Sequence, residues 1–228
     1  MKSPDQDQDA LAGVRVVVNA GPTYEDIDPV RFLGNRSSGK MGFAIAEAAS
    51  LASAEVTLVA GPVALATPAK VALRVDVRSA LQMRDAVLEA VRDADIFIAT
   101  AAVADWRVAE YSARKIKKSV RGAPALELVE NPDILSEVAA LDPRPFVVGF
   151  AAETERVAER AREKLDRKKL DMLVANRVDE HVGIGADDNA VELFWPGGSE
   201  TLPRASKLEI AEALVARITL RFRARRRA

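Results

Sequence analysis

Ala20-Gly-Pro-Thr23, Ile27-Asp-Pro-Val-Arg-Phe32 and Gly34-Asn-Arg-Ser-Ser-Gly-Lys-Met-Gly42 follow the apolar run Val14 to Val18 and precede a helical run reaching Ala52. A β-type run, a Gly-rich connection and a helix are the opening unit of an α/β sheet. At such a helix start the backbone N–H groups lack intrahelical partners and carry the positive end of the dipole, so anions, phosphates above all, are natural guests. Arg31, Arg36 and Lys40 raise that potential, and Asn35, Ser37 and Ser38 add neutral donors. Gly21, Ser37, Ser38, Gly39 and Lys40 are therefore candidate contacts of a nucleotide or phosphoester.

Two familiar phosphate motifs are approached here and missed. Gly34-x-x-x-x-Gly39-Lys40 follows the P-loop pattern until Met41 stands where Ser or Thr would ligate Mg²⁺. A P-loop also follows its strand directly, whereas a long connection separates Val18 from Gly34. The first turn, Gly21-Pro22-Thr23, is not the G-x-G-x-x-G fingerprint of dinucleotide folds.

Working outward, Glu55–Ala60, Val71–Val75, Asp95–Ala99, Leu126–Val129, Phe146–Phe150 and Asp171–Asn176 read as strands, the fully apolar Asp95–Ala99 as a central one. Ser79 opens a helix, and Asn131-Pro132-Asp133-Ile134 reads as another start with Asn131 as cap and Pro132 as first helical residue. A charged helix over 154–169 places Lys164 and Lys168 on one face at i, i+4. Val191–Trp195 and Glu200–Leu202 form a hairpin, and Ser206-x-x-Glu209 is a capping box before the last helix. This alternation predicts a doubly wound, mostly parallel Rossmann-like α/β sheet flanked by helices, with a C-terminal hairpin. Ligands of such sheets lie beyond the carboxyl ends of the strands, here Asn19–Thr23, Ala60–Pro62, Thr100–Asp105 and Gly149–Phe150. Residues 106–123, with Lys115, Lys117 and Lys118, interrupt the rhythm and read either as a basic flap or as a solvated charge run. Domain bounds follow: a polar linker or disordered lead-in over 1–12, one domain over 13–220, and a basic, solvated tail over 221–228.

Composition narrows the function. Lys plus Arg (33) nearly balance Asp plus Glu (34), which argues against nucleic acid or a membrane surface as partner. The absence of cysteine removes disulfides, thiolate metal sites and a thiol nucleophile. The single His181 falls in a Gly/Asp-rich loop and reads as a loop residue, so histidine triads and multi-histidine metal sites are excluded. No apolar run of about 18 residues is present to span a bilayer, and a cytoplasmic protein is expected.

In one order along about residues 14–220, these segments resemble the bacterial-type phosphopantothenoylcysteine synthetase family, the ligase half of a bifunctional coenzyme A biosynthesis protein. The carrying motifs are Ala20–Thr23, Ile27–Phe32, Asn35–Gly42, Ala101-Ala-Val-Ala-Asp105, Lys115-Ile-Lys-Lys118, Asn131–Ile134, Val148-Gly-Phe-Ala-Ala-Glu-Thr154 and Asp188-Asn189. The resemblance implies that 4′-phosphopantothenate and CTP form an acyl-cytidylate and pyrophosphate, after which the amine of L-cysteine displaces CMP. It implies Mg²⁺ as counter-ion, a homodimer through the hairpin or a strand edge, and fusion or partnership with a phosphopantothenoylcysteine decarboxylase; no flavin is expected in this chain. Positioning and charge neutralisation dominate such chemistry, which needs neither thiol nor triad.

The resemblance assigns Asn35 to conversion of the acyl-cytidylate and Lys115 to the CTP contacts; on physical grounds the Asn35 amide is expected to donate to the acyl oxygen, and Lys115 to close over the site on its flap. The resemblance places Ala99, Thr100, Ala101, Asp105, Asn131, Pro132, Asp133, Ile134, Phe150, Lys164 and Lys168 around CTP. It departs at Tyr24, where the family often carries Arg, leaving one phosphate contact absent or transferred to Arg31. An NAD(P)-dependent oxidoreductase is disfavoured by the missing Gly-rich fingerprint; Tyr111-x-x-x-Lys115 imitates a dehydrogenase pair without its helix or cofactor turn. A non-enzymatic nucleotide sensor would bind CTP without releasing pyrophosphate.

Overall fold

The computed structural model describes residues 9–117, 125–153, 156–177 and 187–227. In chain order the elements are β1 (Arg15–Ala20), β2 (Tyr24–Asp26), β3 (Phe32–Gly34), α1 (Lys40–Leu51), β4 (Glu55–Ala60), β5 (Leu73–Asp76), α2 (Ala80–Ala90), β6 (Ile96–Ala99), β7 (Trp106–Val108), β8 (Leu128–Glu130), α3 (Ile134–Ala139), β9 (Phe146–Glu153), α4 (Val157–Arg167), β10 (Met172–Arg177), β11 (Asp188–Trp195), β12 (Gly198–Ser206) and α5 (Lys207–Arg225). Lys118, Thr154 and His181 lie outside the described residues.

The central sheet has the order β12-β11-β10-β9-β6-β1-β4-β5. Every pairing from β10 through β5 is parallel, and β11 and β12 add an antiparallel edge. Ranked by chain position, the parallel strands run 3-2-1-4-5-6, the order of dinucleotide-binding folds, with the winding reversing between β1 and β6. The expected α/β architecture and the central place of the 95–99 strand are both observed.

Side-chain alternation along the strands splits the core in two. Val16, Val18 and Ala20 of β1 meet Phe43 and Ile45 of α1 and Leu214 and Ile218 of α5 on one face. Val17, with Phe97, Val147 and Leu173, meets Met83 of α2, Val138 of α3 and Leu165 of α4 on the other. Both faces of the parallel strands are thus covered, which is why their sequences are almost continuously apolar. Among the described residues no helix is long and apolar enough to cross a membrane.

Three local expectations change. The cap of α3 is Asp133, whose carboxylate accepts from Ser136 N at 3.1 Å, and the helix starts at Ile134. Asn131 does not cap it: its Oδ1 accepts from Arg107 at 3.2 Å and its Nδ2 donates to Ala104 O at 2.8 Å, and Pro132 stays outside the helix. The arginines after residue 220 are not a loose tail. They continue α5: Arg221 lies 3.9 Å over the Trp195 ring, Phe222 packs edge-on against Phe146, and Arg225 donates to Asp171 at 2.9 Å. At the other end Leu11, within the segment expected to be disordered, is buried and donates its N–H to Ala52 O at 2.8 Å.

Candidate functional site

The long connection after β1 is a hairpin. β2 and β3 pair antiparallel, Tyr24 stacks on Phe32 at 4.0 Å, and Arg78, ion-paired with Asp26 at 2.6 Å, lies over both rings. The excursion therefore returns to its origin: a Cβ built on Gly39 would lie 3.5 Å from Gly21 Cα. Gly39 takes φ 74° as the residue before α1, a left-handed conformation that suits glycine. Helix α1 thus begins at the end of β1, as a first Rossmann helix does, in spite of the inserted hairpin.

Next to it, the end of β6 is knitted to β1. Asn19 is buried and its Oδ1 accepts from Ala101 N at 3.1 Å, while Thr100 Oγ1 donates to Asn19 O at 2.6 Å. Asn35 closes over this segment, its Nδ2 donating to Ala102 O at 3.2 Å and to Val103 O at 3.0 Å. Two concavities open on either side of the wall so formed. A cavity of about 400 Å³ is lined by the turn Asn35–Gly42 together with Thr100, Asn176, Asn189 and Lys207. One of about 460 Å³ is lined by Ala99, Asp105, Asn131–Ile134, Lys164 and Lys168. Ala101, Ala102 and Phe150 belong to both.

In the larger cavity Lys164 Nζ donates to Phe150 O at 3.0 Å, and Lys168, at the carboxyl end of α4, pairs with Asp133 at 2.5 Å. The i, i+4 spacing thus delivers both lysines to one cleft. Burial would raise the Asp133 carboxyl, but Lys168 together with Ser136 holds it below its ordinary value. In the smaller cavity the Lys207 ammonium is pushed down by burial and by Lys40, against the opposing pull of Asp187 and Asp188. Lys40 itself pairs with Asp187 at 2.6 Å.

Most of the sequence-derived candidates line one cavity or the other, and two do not. Gly21 stands behind the wall, its carbonyl accepting from Ala102 N at 2.9 Å. Lys115 is exposed and lines neither cavity. Its neighbour Ile116 is tied down instead: Ile116 N donates to the buried Asp28 at 3.1 Å, and Arg31 bridges Asp28 and Ile116 O. Arg31 is thereby engaged with Asp28 rather than standing in for the arginine absent at Tyr24. Its guanidinium and the backbone N–H groups of Val30, Ile116 and Arg31 hold the Asp28 carboxyl far below the usual carboxylate range. The expected flap rises on the small β7–β8 ribbon, and residues 118–124 lie outside the described residues.

Sequence reasoning missed Asn19, Trp106, Asn176 and Lys207. For Lys207 a signal existed, since a lysine in the first turn of a helix runs against the dipole. Asn19 opened a strand end read as ligand-facing and Asn176 closed another strand, but nothing local marked either amide as a site group.

The DNA/pantothenate metabolism flavoprotein C-terminal domain family matches residues 11–221. The coenzyme A biosynthesis bifunctional protein CoaBC of Haemophilus influenzae is 51% identical over 218 residues, covering 95% of this chain and 54% of that protein. CoaBC of Escherichia coli K12 is 49% identical, covering 93% and 53%. The chain thus spans about half the length of these relatives. The crystal structure of the C-terminal domain of a CoaBC protein superposes with a TM-score of 0.79 at 39% identity, covering 93% of this chain and 97% of that one. With residues 11–221 matched and its Rossmann-ordered sheet superposing on a domain of that kind, the chain belongs to the DNA/pantothenate metabolism flavoprotein C-terminal domain family.

Proposed function

We propose that this chain is a phosphopantothenate–cysteine ligase that uses CTP. The observation that carries the reading is the wall of Ala101, Ala102 and Phe150 shared by a lysine-bearing cleft and an Asn35-bearing cavity. A carboxylate at that wall meets a nucleotide from one side and an incoming amine from the other.

In the first step a carboxylate oxygen of 4′-phosphopantothenate attacks the α-phosphorus of CTP, the bond to the β-phosphate breaks, and pyrophosphate leaves. Lys164 and Lys168 neutralise phosphate charge, Phe150 covers the base, and backbone groups of residues 99–101 and of the Asn131–Ile134 turn meet the nucleotide without bulky side chains. Among the described residues no three acidic or histidine side chains form a metal cage. Asp105 on the cleft is enough for Mg²⁺ held mainly by phosphates and water, the usual arrangement for nucleotide substrates. When bound, Mg²⁺ supplies further charge neutralisation on the triphosphate.

In the second step the amine of L-cysteine attacks the acyl carbon, the acyl–oxygen bond breaks, and CMP leaves. Both amide hydrogens of Asn35 are engaged with Ala102 and Val103. Its Oδ1 is therefore the atom offered to the attacking amine, in place of the donor role expected from sequence. Lys115, next to the Asp28 anchor, closes over the labile anhydride and keeps water out. A homodimer through the β11–β12 edge, a joined or partnered decarboxylase as in the bifunctional relatives, and a cytoplasmic site of action complete the proposal.

Pyrophosphate release measured with phosphopantothenate and CTP, with ATP run in parallel, tests the reading. Release with CTP, followed by CMP release on adding L-cysteine, is expected. CTP binding without pyrophosphate release would leave only a nucleotide sensor.

A further inference from the structure

We propose that Asp28 is a positioning residue for the ligase reaction: through the turn of the β2–β3 hairpin it fixes the backbone that carries Lys115 and joins that backbone to Asn35. The inference rests on the ligase reading for the work of Lys115, and it adds a residue to which the resemblance gives no role. The Asp28 side chain is wholly buried. Its two oxygens face different parts of the chain. Oδ1 accepts from the backbone N–H groups of Val30 at 2.9 Å and Arg31 at 3.0 Å, which closes its own turn. Oδ2 accepts from Arg31 Nε at 3.1 Å and from the N–H of Ile116 at 3.1 Å, 88 residues onward. The turn needs only the first oxygen, and aspartate makes such turns fully solvated. Burying the second oxygen costs desolvation that the turn does not call for, and what it holds is the residue after Lys115.

The grip on that segment has three points. Ser112 N donates to Ile27 O at 3.1 Å, Ile116 N to Asp28, and Arg31 Nη2 to Ile116 O at 2.9 Å. Between them Ser112 Oγ donates to Arg114 O at 2.7 Å and holds the intervening bend. Lys115 therefore stands between two anchored residues. Its Cα lies about 3.8 Å from that of Ile116, so its side chain is the part left to swing. The same hairpin leads to the second group: β3 ends at Gly34, and Asn35 donates to Ala102 O and Val103 O on the wall between the cavities. Stacking of Tyr24 on Phe32 and the pairing of Arg78 with Asp26 stiffen the strands in between. Two groups assigned to one anhydride are thus held by the two ends of a short, stiff hairpin. Loosening the Asp28 end frees the Lys115 backbone and leaves Asn35 on its carbonyls.

The test compares wild type with Asp28→Asn, Lys115→Gln, the double variant and Arg31→Lys. In Asp28→Asn the turn keeps an acceptor oxygen while an NH₂ group faces the Ile116 N–H, so the long-range contact is lost and the local one kept. Loss of a hydrogen bond to a charged group predicts that trypsin cuts the folded protein after Lys115 roughly 10- to 100-fold faster, while cutting after the exposed Lys70 keeps its rate. Formation of phosphopantothenoylcysteine should fall roughly 10- to 100-fold in kcat with KM for phosphopantothenate unchanged, and more of the anhydride should be lost to water. In the Lys115→Gln background the same substitution should leave kcat within about twofold, because Asp28 acts through Lys115. A folded Asp28→Asn protein cut after Lys115 at the wild-type rate overturns the proposal, and so does a substitution that slows the Lys115→Gln enzyme as much as it slows wild type. Should Asp28→Asn not fold, wild-type cutting in Arg31→Lys, which loses the bridge to Ile116 O, overturns it instead. A wild type that releases no pyrophosphate sinks the ligase reading and with it the role of Lys115, whereas faster cutting in Asp28→Asn keeps the anchor.

Discussion

Replacing Gly42 by alanine sets two rules of helix stability against each other. Gly42 lies in α1, where propensity alone favours alanine by about 1 kcal/mol. A Cβ there, however, would stand 2.3 Å from Thr100 Oγ1 and 2.5 Å from Ala20 Cβ. Carbon atoms rest at about 3.5–4.0 Å, so relief needs a displacement of roughly 1 Å. The Thr100 hydroxyl could rotate only by giving up its 2.6 Å bond to Asn19 O, and Ala20 is held in the sheet opposite Ala60 of β4. Helix α1 must therefore lift. Overpacking of this kind costs about 1–3 kcal/mol, and with atoms this fixed the upper end applies, leaving a net loss of about 2 kcal/mol after the propensity gain. At about 2–4 °C per kcal/mol for a chain of this size, Tm falls by about 4–8 °C. Because Ser37–Lys40 lead into the first turn of α1, kcat/KM for phosphopantothenate should fall by about 100-fold, the usual consequence of a misplacement near 1 Å. Calorimetry and pyrophosphate release read both effects, and adding Ala20→Gly should restore part of each. A Gly42→Ala protein with wild-type or higher Tm and unchanged kcat/KM would refute the close packing of α1 on β1 and β6.

Other expectations follow from the two cavities. Asn35→Asp sets carboxylate charge against the carbonyls of Ala102 and Val103 and should slow CMP release more than pyrophosphate release; equal slowing of the two bursts counts against a second-step role. Lys115→Gln should lower turnover and raise loss of the anhydride to water, and normal turnover would remove Lys115 from the mechanism. Asp133, whose folded carboxyl titrates below its ordinary 3.8, contributes stability that is present above that pH and is lost as pH falls through the folded value. Urea unfolding between pH 7 and pH 3 should show this acid loss, and Lys168→Met should make its slope shallower by removing the cation that lowers Asp133; an unchanged slope would show that the ion pair is not its source. In the same variant KM for CTP should rise about tenfold through loss of one charge-assisted contact.

Much of this was legible locally. Short apolar runs and helical patterns marked the parallel strands and the helices between them, and Ser206-x-x-Glu209 announced α5 at its observed cap. Lys164 and Lys168 were matched by helical spacing and did arrive in one cleft. Misreadings arose where one residue had two possible partners. Asn131 has the chemistry of a cap, but the guanidinium of Arg107, 24 residues away in sequence, took its side-chain oxygen and left the cap to Asp133. The arginines of α5 lack local apolar company, and only the fold brings Trp195 and Asp171 beneath them.

The sequence by itself determined the class of sheet, the family and the two segments proposed to carry the chemistry, because backbone propensity and hydrophobic period act over neighbouring residues. Only the tertiary structure decided that the β2–β3 hairpin returns Gly39 to Gly21, that Asn35 faces two carbonyls, and that Lys207 and Asn176 enter the same cavity as Lys40. Those relations depend on burial and hydrogen bonding between residues scores of positions apart, and no local pattern encodes which distant carbonyl a given amide will find.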